Sequence, residues 1–168
     1  MFKEQLLIAL FADTQTSADE NENGHQQLMV KTSTINALQA DHRFDVVVVA
    51  SDDDRVLAAA HAADAVNHRV DAVSGDEEPL TAALRQLLNS DDQLIDEDAW
   101  VVCVGSNHDA RRLTQVIDLA IGKIEASDNA KAVSAIAAET GSPVLHLVQV
   151  AAFVEATGLP QGTVTFLS

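Results

Sequence analysis

Five runs of aliphatic and β-branched residues punctuate the chain: LLIALF from Leu6, DVVVVAS from Asp45, HRVDAV from His68, WVVCVGS from Trp100 and PVLHLV from Pro143. They are apolar at consecutive positions rather than at alternate ones, as expected of strands covered by helices on both faces. Between the runs, apolar residues recur at helical spacing. Leu28, Ile35 and Leu38 mark a helix over 25–40, and Val56, Leu57, Ala60 and Ala63 one over 55–65. PLTAALRQLL predicts a third helix over 79–89, and Leu113, Ile117, Ala120 and Ile121 a fourth over 110–124. Strand–helix alternation of this kind predicts a three-layer α/β/α domain: a Rossmann-like, doubly wound, mostly parallel sheet of five or six strands in one unit over 1–168.

The tail of the pattern is less regular. A further helix is expected over 129–139, ended by Gly141, and a short one in VAAFVEATG stopped by Gly158. TVTFLS then reads as a terminal strand at a sheet edge. Polar clusters supply the punctuation: SDDD before Arg55 and SGDEEP before Leu80 place acids where the free amides and dipole of a helix start favour them. TQTSADENENG, after the first strand, has no hydrophobic period and reads as a surface loop.

Charge narrows the function classes. The 26 acidic and 10 basic side chains among 168 residues give a net charge of −16, a field that repels a phosphate backbone, so no nucleic-acid partner is expected. Cys103 is the one cysteine, so no disulfide forms within the chain, and its place inside WVVCVG reads as a small buried hydrophobe. The start MFKEQLLIALFAD reads as a first strand rather than a signal peptide, and no run approaches the ~20 apolar residues of a membrane span. A cytoplasmic protein without a membrane partner is expected.

Candidate chemistry gathers where strands end. Asp13 and the run Asp52, Asp53, Asp54 follow the first and second strands, whose carboxyl ends adjoin in a parallel sheet. Helix capping accounts for such acids; convergence of Asp13, Asp52 and Asp54 on a divalent metal is the alternative. GSNHDARRL after the fourth strand offers a turn in which Gly105, Ser106, Asn107 and Arg111 would cradle a phosphate, although neither GxGxxG nor GxxxxGK[ST] is present. Ser106, His108 and Asp109 are neighbours around a cap, a poor geometry for a hydrolytic set. His25, His42, His61, His68 and His146 show no metal-ligand spacing.

Taken in order, LMVKTSTINALQADHRFDVVVVAS, AAAHAADAVNHRVDAV, PLTAALRQLL and AWVVCVGSNHDARRLTQVIDLAIG resemble the amino-terminal domain of the electron-transfer flavoprotein alpha subunit over residues 6–122. That resemblance implies a domain of the adenine-nucleotide-hydrolase type, non-catalytic or weakly nucleotide-binding, with an adenine nucleotide as ligand. It implies a homodimer or a partner flavoprotein subunit, and FAD is not expected for this chain alone. ALFADTQ with VVVVASDDDRV and LTAALRQLLNSDDQLID is similar to NYN-type PIN-like nucleases. By that likeness Asp13, Asp52 and Asp54 would be the catalytic and metal-holding residues of a magnesium- or manganese-dependent ribonuclease. HQQLMVKTSTINALQ, FDVVVVASDDD and VDAVSGDEEPLTAALRQLL are spaced like the sugar-nucleotide cytidylyltransferases, with acidic DTQTSADENENG in place of their basic glycine-rich loop. This implies a degenerate nucleotidyltransferase-like protein.

Overall fold

A computed structural model describes residues 6–13, 22–70, 78–89, 97–105 and 110–168, the side chains of 22–27 and 110 excepted. The elements run β1 (Leu7–Asp13), α1 (Glu22–Ala40), β2 (Val46–Ser51), α2 (Asp54–Ala62), β3 (Val66–Arg69) and α3 (Pro79–Asn89). They continue with β4 (Trp100–Gly105), α4 (Ala110–Ala126), β5 (Ala132–Ile136), β6 (Pro143–Gln149), α5 (Val150–Ala156) and β7 (Val164–Leu167). The strands of the described residues form one sheet of seven, in the order β3-β2-β1-β4-β6-β5-β7.

The central strands are apolar at every position because both faces are covered. Leu7, Ala9, Phe11, Val47, Val49, Val102 and Val104 pack under α1, α2 and α4, while Ile8, Leu10, Val48, Val101 and Cys103 pack against α3 and α5. Burying each of the larger side chains contributes about 1.5–3 kcal/mol. The result is the three-layer, mostly parallel arrangement that the sequence predicts.

Direction is where the sheet departs from expectation. β1 to β4 run parallel to one another, whereas β6, the PVLHLV run, is antiparallel to both β4 and β5. The helix expected over 129–139 is instead strand β5 and a hairpin turn, in which Gly141 has a φ of 71. Ala132, Val133, Ser134 and Ala135 are all buried between β6 and β7, and that packing outweighs the helix preference of an alanine-rich segment. β3 starts earlier than HRVDAV and ends at Arg69; residues 71–73 of that run lie outside the described residues.

Candidate functional site

The carboxyl ends of β1, β2, β3 and β4 share one rim of the sheet, and the crevice outside such a rim is where ligands settle in open α/β sheets. Asp13 closes β1 there, fully buried. Ser51, its register partner on β2, donates its hydroxyl to Asp13 Oδ2 at 2.8 Å. On the other side Lys31 reaches down from α1, with Nζ 3.0 Å from Asp13 Oδ1, an ionic approach outside hydrogen-bond alignment. Lys31 is only 6% exposed. Leu28, Lys31, Ile35 and Leu38 share one helical face, which marks Lys31 as facing the sheet without naming its partner.

The aspartates after β2 divide their roles. Asp53 is the N-cap of α2: its Oδ1 accepts from Arg55 N at 2.9 Å, and its own amide donates to Ser51 Oγ at 3.0 Å. Burial raises the Asp53 carboxyl, but the hydrogen bonds from Arg55 outweigh it, so the group sits below the usual carboxylate range. Asp54 pairs with Arg69 at the end of β3, and Arg69 Nη1 also donates to the Asp52 carbonyl at 3.3 Å. Asp52 Oδ1 is buried without a hydrogen-bond partner among the described residues.

Each described cation along the ends of β1 to β3 is thus spent on an aspartate: Lys31 on Asp13, Arg55 on Asp53 and Arg69 on Asp54. Asp13, Asp52 and Asp54 share the rim, yet among the described residues no group of three or more His, Cys, Asp or Glu side chains is placed to hold a metal ion. Gly105 ends β4, with a Cβ there meeting only Leu80 Cδ2 at 3.6 Å. Arg111 stands exposed in the first turn of α4 with no carboxylate partner among the described residues. Ser106 and Asn107, between them, lie outside the described residues.

A second polar cluster escaped the sequence reading. Under the start of α3, Ser134 Oγ lies 2.7 Å from His146 Nδ1, and His146 Nε2 lies 3.1 Å from Glu78 Oε2. Glu78 also accepts from the Leu80 and Thr81 amides at 3.1 and 2.8 Å, as an acid at a helix start should. Ser134 and His146 are 5% and 4% exposed, so no substrate reaches them, and the cluster acts as a tie between β5, β6 and α3.

No protein-family model matches the chain, and no curated protein matches it. Solved structures do. CMP:2-keto-3-deoxy-manno-octonic acid synthetase, complexed with CTP, superimposes with a TM-score of 0.56 over 98% of this chain and 90% of its own, at 12% identity. Glucosyl-3-phosphoglycerate synthase from Mycobacterium tuberculosis, in complex with phosphoglyceric acid, gives 0.59 over 89% of this chain and 58% of its own, at 11% identity. 4-Diphosphocytidyl-2C-methyl-D-erythritol synthase from Anaerococcus prevotii gives 0.54 over 91% and 75%, also at 11% identity. The chain shares its fold with these enzymes.

That likeness corrects two of the expected resemblances. These three structural neighbours are neither the electron-transfer flavoprotein alpha subunit nor PIN-like nucleases. The motifs behind both readings are strand ends and small-residue helices, which any doubly wound sheet supplies. The third resemblance, to sugar-nucleotide cytidylyltransferases, has the same architecture as these neighbours. No helix among the described residues is long and apolar enough to cross a membrane.

Proposed function

We propose that this chain is a non-catalytic nucleotide-binding protein on a nucleotidyltransferase-like fold. It accepts a nucleoside monophosphate or sugar phosphate at the rim of β1 to β4 and does not transfer a nucleotidyl group. The observation that supports this is the distribution of cations. A magnesium triphosphate needs unspent positive charge where it lands, and Lys31, Arg55 and Arg69 are already neutralised by Asp13, Asp53 and Asp54. The segment after β1 adds further acids, Asp19 and Glu20, in a chain of net charge −16.

Arg111 is the exception. A cation in the first turn opposes the helix dipole, so an anion bound at the start of α4 relieves both the dipole and the arginine. One phosphate suits that position, with Gly105 at the end of β4 and Arg111 in the first turn of α4 as its contacts.

The test is pyrophosphate release from CTP or UTP with magnesium and a panel of sugar acids and sugar phosphates as acceptors, beside calorimetry with CMP and UMP. Saturable monophosphate binding without pyrophosphate release is expected. Sustained pyrophosphate release overturns the reading.

A further inference from the structure

We propose that β7 is a self-pairing edge through which two copies of this chain join their sheets across a twofold axis. Among the described residues β7 is the last strand of the sheet, hydrogen-bonded to β5 on one side only. Ser168 N donates to the Ile136 carbonyl at 2.9 Å, and parallel strands alternate, so the backbone groups of Thr165 and Leu167 point away from β5. Both side chains are exposed, Leu167 by 69%.

The two edges of the sheet are treated differently. β3, at the far edge, carries His68 and Arg69, and such polar and charged residues block strand addition. β7 has neither charge nor proline, and no charged residue occurs anywhere in 156–168. In a chain of net charge −16, this edge brings no acidic side chain of its own to the partner copy. An uncharged edge is best met by another uncharged edge, and a second copy supplies one.

Geometry fixes the register. A twofold axis normal to the sheet keeps each face on its own side, so residues placed opposite must share a face. Centring the axis on Phe166 sets Phe166 against its own symmetry mate and Thr165 against the partner subunit's Leu167. Thr165 and Leu167 then form the hydrogen-bonded pairs, which use every outward amide and carbonyl of the strand, and the two Phe166 rings form the close non-hydrogen-bonded pair. Lys123 already covers Phe166, its Nζ 5.5 Å from the ring centroid. On the opposite face α3 and α5 pack over β1, β4 and β6, leaving Leu167 to pack across the dimer.

Edge pairing buries little area, so the dimer is a concentration-dependent one. The experiment is sedimentation velocity from about 1 to about 100 μM, a range chosen for an interface of this class. Thr165→Pro removes an amide that the chain's own sheet does not use, so it keeps the thermal unfolding of the wild type while raising the dimer dissociation constant by at least about 30-fold. Leu167→Lys acts the same way through charge. In the wild type, exchange of the Thr165 and Leu167 amides slows as concentration rises. A monomer throughout the range, a dimer indifferent to both variants, or amide protection independent of concentration each overturns the proposal.

Discussion

Glu78 and His146, 68 positions apart in sequence, meet through a 3.1 Å contact between Oε2 and Nε2 that ties the start of α3 to β6. Burial by itself raises the Glu78 carboxyl, but hydrogen bonds from His146 and Thr81 outweigh it and lower the group to about 2. An ionised carboxylate only accepts, so His146 Nε2 donates to Glu78 Oε2, while Ser134 Oγ holds Nδ1 on the other side of the ring. A depressed carboxyl stabilises the fold above its unfolded value of 4.5 and loses that contribution as pH falls towards 2. Glu78→Gln should therefore cost about 1–2 kcal/mol at neutral pH, the scale of a lost helix cap. The difference from wild type, read by urea unfolding, should shrink between pH 4.5 and about 2.

Lys31→Met strands the fully buried Asp13 without its counter-charge. Breaking one side of a buried pair costs about 3–5 kcal/mol, whereas replacing both partners by apolar groups of similar size comes close to neutral. The double variant Asp13→Leu, Lys31→Met should accordingly recover most of the stability lost in the single one. Chemical denaturation of the four proteins in this cycle checks it, and additive losses would show that the two residues do not act as a pair.

Cys103 is wholly buried, with Sγ 3.4 Å from the Leu80 carbonyl. Burial, with a smaller push from the Glu78 charge, raises its thiol well above the ordinary cysteine value. The native protein should resist a thiol reagent at pH 8, and labelling should follow global unfolding in urea. Fast labelling of folded protein would contradict the packing of β4 against α3.

Gly105→Ala separates two uses of a glycine. The added Cβ finds ordinary contact with Leu80 Cδ2 at 3.6 Å and no positive backbone angle, so stability should change by less than about 1 kcal/mol. If a phosphate approaches the backbone at the end of β4, the same methyl weakens monophosphate binding. Calorimetry on a variant whose unfolding matches wild type reads the difference directly.

The layered sheet was legible because burial on both faces leaves unbroken apolar runs such as VVVVA and WVVCV. The Asp53 cap and the acidic start of α3 were legible for a similar reason, since orphan helix amides demand acceptors. Strand direction was not. β6 reads the same in either direction, and its reversal follows from the hairpin through Gly141, which an alanine-rich β5 concealed as a helix. Of the rim, Asp13 and Asp52 to Asp54 were found as strand-end acids, but the cations that neutralise them come from α1, α2 and β3. Sequence separations of 15 to 18 residues between Asp54 and Arg69 and between Asp13 and Lys31 carry no local signal of pairing. The Ser134, His146 and Glu78 tie was hidden likewise, because it joins three elements, one of them assigned to the wrong class.

On the proposed reading the rim has spent its positive charge on its own aspartates, and Arg111 takes one phosphate. Calorimetric titration of CMP and CTP, each with magnesium, into wild type and Arg111→Ala measures it most directly. The account predicts that CMP binds at least as tightly as CTP and that Arg111→Ala weakens CMP by about 10-fold, the worth of one charge-assisted hydrogen bond. CTP binding much more tightly than CMP, unchanged in Arg111→Ala, would contradict it.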